Sequence, residues 1–314
     1  MPRLLIALAA TTLLAGCSLL DRPPPPKETT VVVPDAADAA SIGPRSDGSF
    51  LYGERLTGRI VAVGADGQVD PNPVATVGVS AGQASGGLLG VAVDDAGRVF
   101  ALATRPDARV AVLQVAPDGE RVVWEGPEVT GADLGGGLLV RNGRIVFVIG
   151  DLGDPAAVAD ASAPNGKLLS VLPDGPATQR PTVLGAGFVD PVGVVVGPFD
   201  DWWVADRAGS TAADGDVPAR LVRVRPGGEL EPTSIEDGAI VPAALVSLGP
   251  DDLGLCDVAS GAVRSVGIVD GYAAQPGDVV AERCTLAAAR AGATVLISGA
   301  GADGAPGEIR SFPV

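Results

Sequence analysis

Between Asp133 and Asp151 short apolar runs alternate with polar, glycine-bearing turns. Leu138-Leu139-Val140 is followed by Arg141-Asn142-Gly143-Arg144 and then by Ile145-Val146-Phe147-Val148-Ile149. Two such runs around Asn-Gly read as an antiparallel hairpin, because a type I′ turn needs positive φ at both central residues. The form recurs. Gly86-Gly87-Leu88-Leu89-Gly90-Val91-Ala92-Val93, a turn at Asp94 to Gly97, and Arg98-Val99-Phe100-Ala101-Leu102-Ala103 make a second copy. Asp190-Pro191-Val192-Gly193-Val194-Val195-Val196 and Asp201-Trp202-Trp203-Val204-Ala205-Asp206 make a third. Weaker hairpins fall at 241–258 and 284–298.

A second recurrent element lies between the hairpins, an apolar strand that ends in a polar-glycine turn. It occurs at 58–67, 109–119, 166–175 and 219–228, with weaker copies at 261–266 and 307–312. The turns end at Gly67, Gly119, Gly175, Gly228 and Gly271, a spacing of roughly 40–55 residues, which is propeller-blade length. No stretch of helical period interrupts the series. The expected fold is therefore all-β: a six-bladed β-propeller of four-stranded antiparallel blades. The last module reaches Val314 after three strands, so its fourth is expected from Thr29 to Val33, closing the ring between the termini. The alternative for that β-branched run is a loose linker.

Composition fits this outline and narrows the chemistry. The 314 residues include 44 glycines and 27 prolines, suited to short strands and tight turns, and only 4% are aromatic, so the core is aliphatic. A formal net charge of −16, with Lys27 and Lys167 as the only lysines, argues against binding nucleic acid, since phosphate backbones are held by clustered Lys and Arg. Histidine is absent. That removes Ser-His-Asp and Cys-His nucleophiles, imidazole metal ligands and the commonest general base.

The N-terminus reads as a targeting segment. Arg3 supplies a positive n-region, Leu4 to Leu14 an apolar run too short for a comfortable bilayer span, and Leu14-Ala15-Gly16-Cys17 resembles a bacterial lipobox. The resemblance implies cleavage after residue 16 and lipidation of Cys17. Residues 17–41 then form a linker containing Pro23 to Pro26, a semi-rigid polyproline spacer, and the propeller occupies 42–314. The mature chain is expected outside the cytoplasm, anchored to the membrane by lipid. In that oxidising compartment Cys256 and Cys284 are expected to form a disulfide, stabilising by roughly 3–4 kcal/mol on the chain-entropy account.

The hairpins resemble the glucose/sorbosone dehydrogenase family, the soluble quinoprotein sugar dehydrogenases. Gly86 to Ala92 looks like the family's GGLLGIAF strand, and Ile149-Gly150-Asp151-Leu152-Gly153-Asp154 like the end of its second hairpin. Asn165 to Val171 matches GKILRI, Phe188 to Val194 matches HRNPQGLAF, and Trp203-Val204-Ala205-Asp206 matches LWxAD. The likeness covers Gly86 to Gly209 and extends to the flanks only as architecture. The family oxidises sugars with pyrroloquinoline quinone (PQQ) and Ca²⁺, and the chemistry that this needs is missing here. The position of the catalytic histidine, after Asp133, is Leu134. The His-Arg-Asn that serves the cofactor reads Phe188-Val189-Asp190, and the cofactor-contacting glutamine falls near Ser85, with Gln83 close by. Asp133 or Asp190 could serve as a base, but their charge repels a tricarboxylate.

Asp133, Asp151, Asp154, Asp190 and Asp206 are candidates for a ligand or Ca²⁺ site at one mouth of the channel, against the bland reading that Asp beside Gly caps its own turn. Arg207 could contact an anionic ligand, and Trp203 could stack on a sugar. Trp202 and Trp203 face opposite ways on a strand, so one of them is expected in the core. Trp124 is read as packing. The expectation is a non-catalytic binding or scaffolding lipoprotein, with a protein or carbohydrate partner and no cofactor. The alternative is a PQQ-dependent aldose dehydrogenase with a rearranged site.

Overall fold

Apolar alternation and turn chemistry produce the blades where the sequence places them. The computed structural model describes residues 24–80, 86–131, 134–197, 199–207, 218–236, 238–301 and 307–314. Its strands form six antiparallel sheets, a six-bladed β-propeller. The innermost strands are Ala39–Pro44, Leu88–Val93, Leu138–Arg141, Pro191–Val196, Pro242–Gly249 and Ala287–Ala291, for blades 1 to 6 in order. Each touches the next around the ring, and the last returns to the first. Blade 5 carries an added short strand, Tyr272–Ala273, beside its outer strand Val279–Glu282.

The ring closes as expected. Thr30–Val33 is the outermost strand of blade 6, with Thr30 opposite Ser311 and Val33 opposite Ile309. The first inner strand begins at Ala39, so the fold starts inside the 17–41 segment assigned to the linker. A one-turn helix, Pro155–Val158, is the only helix among the described residues and interrupts the otherwise all-β series. Its Asp154 N-cap accepts from the Ala157 amide, and Pro155 suits a first-turn position whose N–H has no helical partner. At the hairpin turn Asn142 and Gly143 have φ of 50° and 70°, the left-handed pair that a type I′ turn demands.

The glycines of the inner strands have a packing reason. A Cβ on Gly90 would lie 2.7 Å from the Leu138 Cβ of blade 3, and one on Gly193 2.8 Å from the Leu245 nitrogen of blade 5. Neighbouring backbones approach this closely only where no side chain intervenes. The core lies in layers between blades. Phe100, Leu102, Trp124, Ile145 and Phe147 fill the space between blades 2 and 3, with the Trp124 and Phe147 ring centroids 5.0 Å apart. Cys256 and Cys284 are bonded, Cα atoms 5.3 Å apart, and join blade 5 to the segment entering blade 6.

Candidate functional site

Every inner strand starts at the same end of the propeller, so the loops entering the blades and those joining second to third strands share one mouth. A cavity of about 240 Å³ opens there, touched by all six blades through Arg55, Leu89, Gly136, Asp190, Val258 and Leu286 in turn. Below it the channel narrows to a space of about 80 Å³ lined by Leu138, Val194, Leu245 and other apolar groups. The Ser41 hydroxyl at that level accepts the Val91 amide at 2.7 Å.

Of the residues singled out in the sequence, the structure brings Asp190 and Arg207 together at this cavity. Asp190 enters blade 4 and Arg207 leaves its second strand, Trp202–Asp206. The Arg207 amide donates to the Asp190 carbonyl at 2.9 Å. Its side chain reaches the Asp190 carboxylate through Nε at 2.7 Å and Nη2 at 2.6 Å. The carboxylate is buried and the Arg207 side chain is 38% exposed at the mouth. Arg55, on the opposite side, is held by Asp38 at 3.3 Å.

The other candidates work inside the fold. Asp151 is 1% exposed; its Oδ1 accepts the Gly153 amide at 2.8 Å and its carbonyl accepts Asn165 Nδ2 at 2.9 Å. Asp154 caps the short helix. Asp206, 0% exposed, accepts the Asp190 amide at 2.9 Å and the Val189 amide at 3.3 Å, and is paired with Arg220 at 2.8 Å. Trp203 is a correction. It is 1% exposed in the core between blades 4 and 5, with Leu245, Leu253 and Leu255, so its ring offers no face to a sugar. The partner pattern on the strand favours this: Trp203 pairs with Val195 and Arg223, whereas Trp202 is only partly buried. Asp133, Ser85, Gln83 and Cys17 lie outside the described residues. Among those described, no group of three or more His, Cys, Asp or Glu is arranged to hold a metal ion.

A repeated arrangement escaped the sequence reading. Glu54, Asp206 and Asp257 each end the second strand of a blade, are buried, and pair with an arginine at the start of the third strand: Arg59 at 3.1 Å, Arg220 at 2.8 Å and Arg264 at 3.4 Å. Burial pushes the Asp257 carboxyl up, but hydrogen bonds from Ser260, the Val241 and Ala259 amides and Arg264 outweigh it and hold the group below the ordinary carboxylate value. The available signal was an acid at the end of three hairpins with an arginine soon after. In blade 3 the buried cation is Lys167, whose Nζ donates to the carbonyls of Asp160 at 2.8 Å and Asn165 at 3.2 Å; burial lowers its pKa.

No protein-family model matches the sequence, and no curated protein matches it. Solved structures do. The PQQ-bound aldose sugar dehydrogenase of Streptomyces coelicolor superposes with a TM-score of 0.73 at 19% identity, over 93% of this chain and 99% of that one. A putative oxidoreductase (glucose dehydrogenase) of Thermus thermophilus gives 0.75 at 18% identity, over 91% and 100%. A gluconolactonase of Xanthomonas campestris gives 0.61 at 14% identity, over 92% and 90%. The same ring thus carries different reactions, and a shared fold does not fix activity. The chain has the six-bladed propeller fold of the soluble aldose sugar dehydrogenases, which are its structural neighbours.

Proposed function

We propose that this chain is a lipid-anchored envelope protein that holds a small polyhydroxylated ligand, such as a sugar, at its channel mouth, and that it does not transfer hydride. The observation that carries the reading is Leu134. It stands where the sugar dehydrogenases have their proton acceptor, is 0% exposed and packs in the blade 2–3 core with Leu152. An alkyl side chain accepts no proton, and the chain has no histidine to replace it.

The donor set at the mouth supports the same reading. A tricarboxylate quinone needs cations that are free to pair with it. Among the described residues lining the cavity the cations are Arg55 and Arg207, and each already holds a carboxylate, Asp38 and Asp190. The described residues at the mouth thus offer no arginine that is not already paired with a carboxylate, which speaks against that cofactor. A neutral polyol needs only alternating donors and acceptors, which an Asp–Arg pair supplies without net charge. The lipobox at Leu14 to Cys17 supports anchoring. The alternative is the dehydrogenase with a rearranged site.

The test is titration of the purified protein with PQQ and Ca²⁺, followed by dye reduction with aldoses. We expect no quinone absorbance change and no reduction. In parallel, a screen of mono- and oligosaccharides by thermal shift should give at least one stabilising ligand whose effect disappears in Arg207→Ala. Quinone-dependent dye reduction would establish the alternative instead, and an absence of any sugar-induced shift would remove the sugar-binding assignment.

A further inference from the structure

The end of the propeller opposite the mouth carries an apolar patch next to the point where the chain begins its path into the fold. Because inner strands start at the mouth, the turns from first to second and from third to fourth strands lie at the far end. In blade 4 that turn holds Phe199, 62% exposed. In blade 5 the third strand, Ala262–Val269, ends there at Val269, 65% exposed, and Tyr272 follows at 55%. Val269 and Tyr272 are paired across the Asp270-Gly271 turn. Arg223 joins the two parts: its Nη1 donates to the Gly271 carbonyl at 2.9 Å, and its guanidinium lies 5.5 Å from the Phe199 ring centre. Of the carboxylates around the patch, Asp201 is tied to Arg223, Asp200 to Arg141 and Glu231 to Arg225, while Asp251 and Asp270 also line the hollow beside Phe199.

The N-terminal segment comes in at this same end. Thr30 pairs with Ser311 close to the far end of Glu308–Pro313, and Lys27 Nζ donates to the Pro313 carbonyl at 2.8 Å. Lys27 is also within electrostatic reach of Asp252, whose neighbour Asp251 lines the hollow beside Phe199. From Cys17 to Pro24 is 24 − 17 = 7 residues, a reach of at most about 25 Å. Starting from the far end, a tether of that reach places the lipid nearest to that end, and the mouth lies a further strand length away.

We propose that this end of the propeller rests on the lipid bilayer, with Phe199, Val269 and Tyr272 at the lipid–water interface and the channel mouth held out into the surrounding compartment. The proposal rests on lipidation at Cys17. Aromatic rings with one polar edge favour the headgroup region, and a single anchored chain gains from a second, weaker contact. The ligand then approaches the mouth from solvent, not from the membrane.

The test uses the full lipidated chain reconstituted in phosphatidylcholine vesicles. A fluorophore is placed on a single new thiol, either Val269→Cys at the far end or Leu56→Cys in the mouth-end turn of blade 1, where Leu56 is 50% exposed. Quenchers carried by the lipids should dim the label at 269 strongly and that at 56 hardly at all. In the Val269→Cys background, Phe199→Ser with Tyr272→Ser should cut the quenching several-fold while the protein still floats with the vesicles. Equal quenching at both sites, or none at 269 in protein that floats, overturns the orientation and leaves the patch to a protein partner. Protein that does not float with vesicles shows that the anchor itself is wrong, and the orientation falls with it.

Discussion

The Asp206 carboxylate accepts the backbone N–H of Asp190 at 2.9 Å, joining the end of one strand of blade 4 to the entrance of its inner strand. That contact fixes the loop from which the Asp190 side chain meets Arg207 at the mouth. One buried carboxylate thus sets the geometry of the candidate site without reaching it.

Asp206→Ala should therefore lower both stability and binding. It takes the carboxylate acceptor from two amides and from the Arg220 guanidinium, which keeps the Gly187 carbonyl. Arg220 retains access to water, so the cost is at the low end for a broken buried pair, about 2–4 kcal/mol. Denaturant melts measure the first effect. Loss of the sugar-induced thermal shift at temperatures where the variant is still folded measures the second. Arg207→Ala should cost less stability than Asp206→Ala, because it removes a substantially exposed side chain, although it takes the arginine from the buried Asp190 carboxylate.

The blades were legible because their information is local. Period-two apolar runs, Asn142-Gly143 and the polar-glycine turns each specify a hairpin through backbone conformation alone, and the expected Cys256–Cys284 bond joins the two cysteines that lie within the blades. The closing strand was legible by count, since a ring of sheets needs a partner for Glu308–Pro313. Trp203 was misplaced because strand alternation says that one of two adjacent rings is inside and not which. That choice is made by blade 5, through Leu245 and Leu255. The acid–arginine pairs were hidden for the same reason: Arg220 is 14 residues from Asp206, and only the fold puts them 2.8 Å apart.

Glycine at the close crossings of inner strands, such as Gly90 and Gly193, should tolerate no side chain. In Gly193→Ala the new Cβ would meet the Leu245 nitrogen at 2.8 Å and its Cβ at 3.2 Å, backbone and root atoms that cannot swing aside. Blades 4 and 5 would have to separate around Trp203. The expected loss is about 1–3 kcal/mol, read as a lower denaturation midpoint. Gly97→Ala is a useful control. Its φ is +78° but nothing lies within 4 Å of the added atom, so only the left-handed backbone is penalised, by roughly 1 kcal/mol.

Acid should weaken the protein partly through Asp257. Its folded pKa lies below the ordinary value of 3.8, because hydrogen bonds from Ser260, Val241, Ala259 and Arg264 exceed the opposing effect of burial. As pH falls the unfolded chain takes up the proton first, so this contribution is present above the unfolded pKa and is lost as pH falls through the folded one. Asp257→Asn should be less stable than the parent near neutrality, with the difference shrinking in acid. Urea midpoints of both proteins from about pH 6 to pH 2 give the comparison. A difference that stays constant or grows in acid would contradict this account.

The disulfide and the closing strand secure the two sides of blade 6 by different means. Cys256 and Cys284 are 0% exposed and span a separation of 28 residues, so replacing both with alanine should cost about 3–4 kcal/mol, chiefly by freeing the unfolded chain. Thr30–Val33 acts in the folded state. Val33 is 1% exposed and packs with Ile309 and Leu296, while Arg310 donates to the Thr29 hydroxyl at 2.7 Å. Val33→Asp puts an unpaired charge into that core, and the strand can keep its place only by leaving the charge dry. Release is the cheaper outcome, and it turns Glu308–Pro313 into an uncovered edge with unpaired backbone groups. Hydrogen exchange should therefore quicken first along Arg310 to Phe312 in Val33→Asp, with the inner strands of blades 2 to 4 unaffected, and the variant should aggregate more readily. In the cysteine-free variant exchange at Arg310 to Phe312 should keep its ordinary order relative to the other blades, because an entropic clamp on the unfolded chain does not loosen one native strand. Equal patterns in the two variants would show that the closing strand contributes no separate latch to the ring.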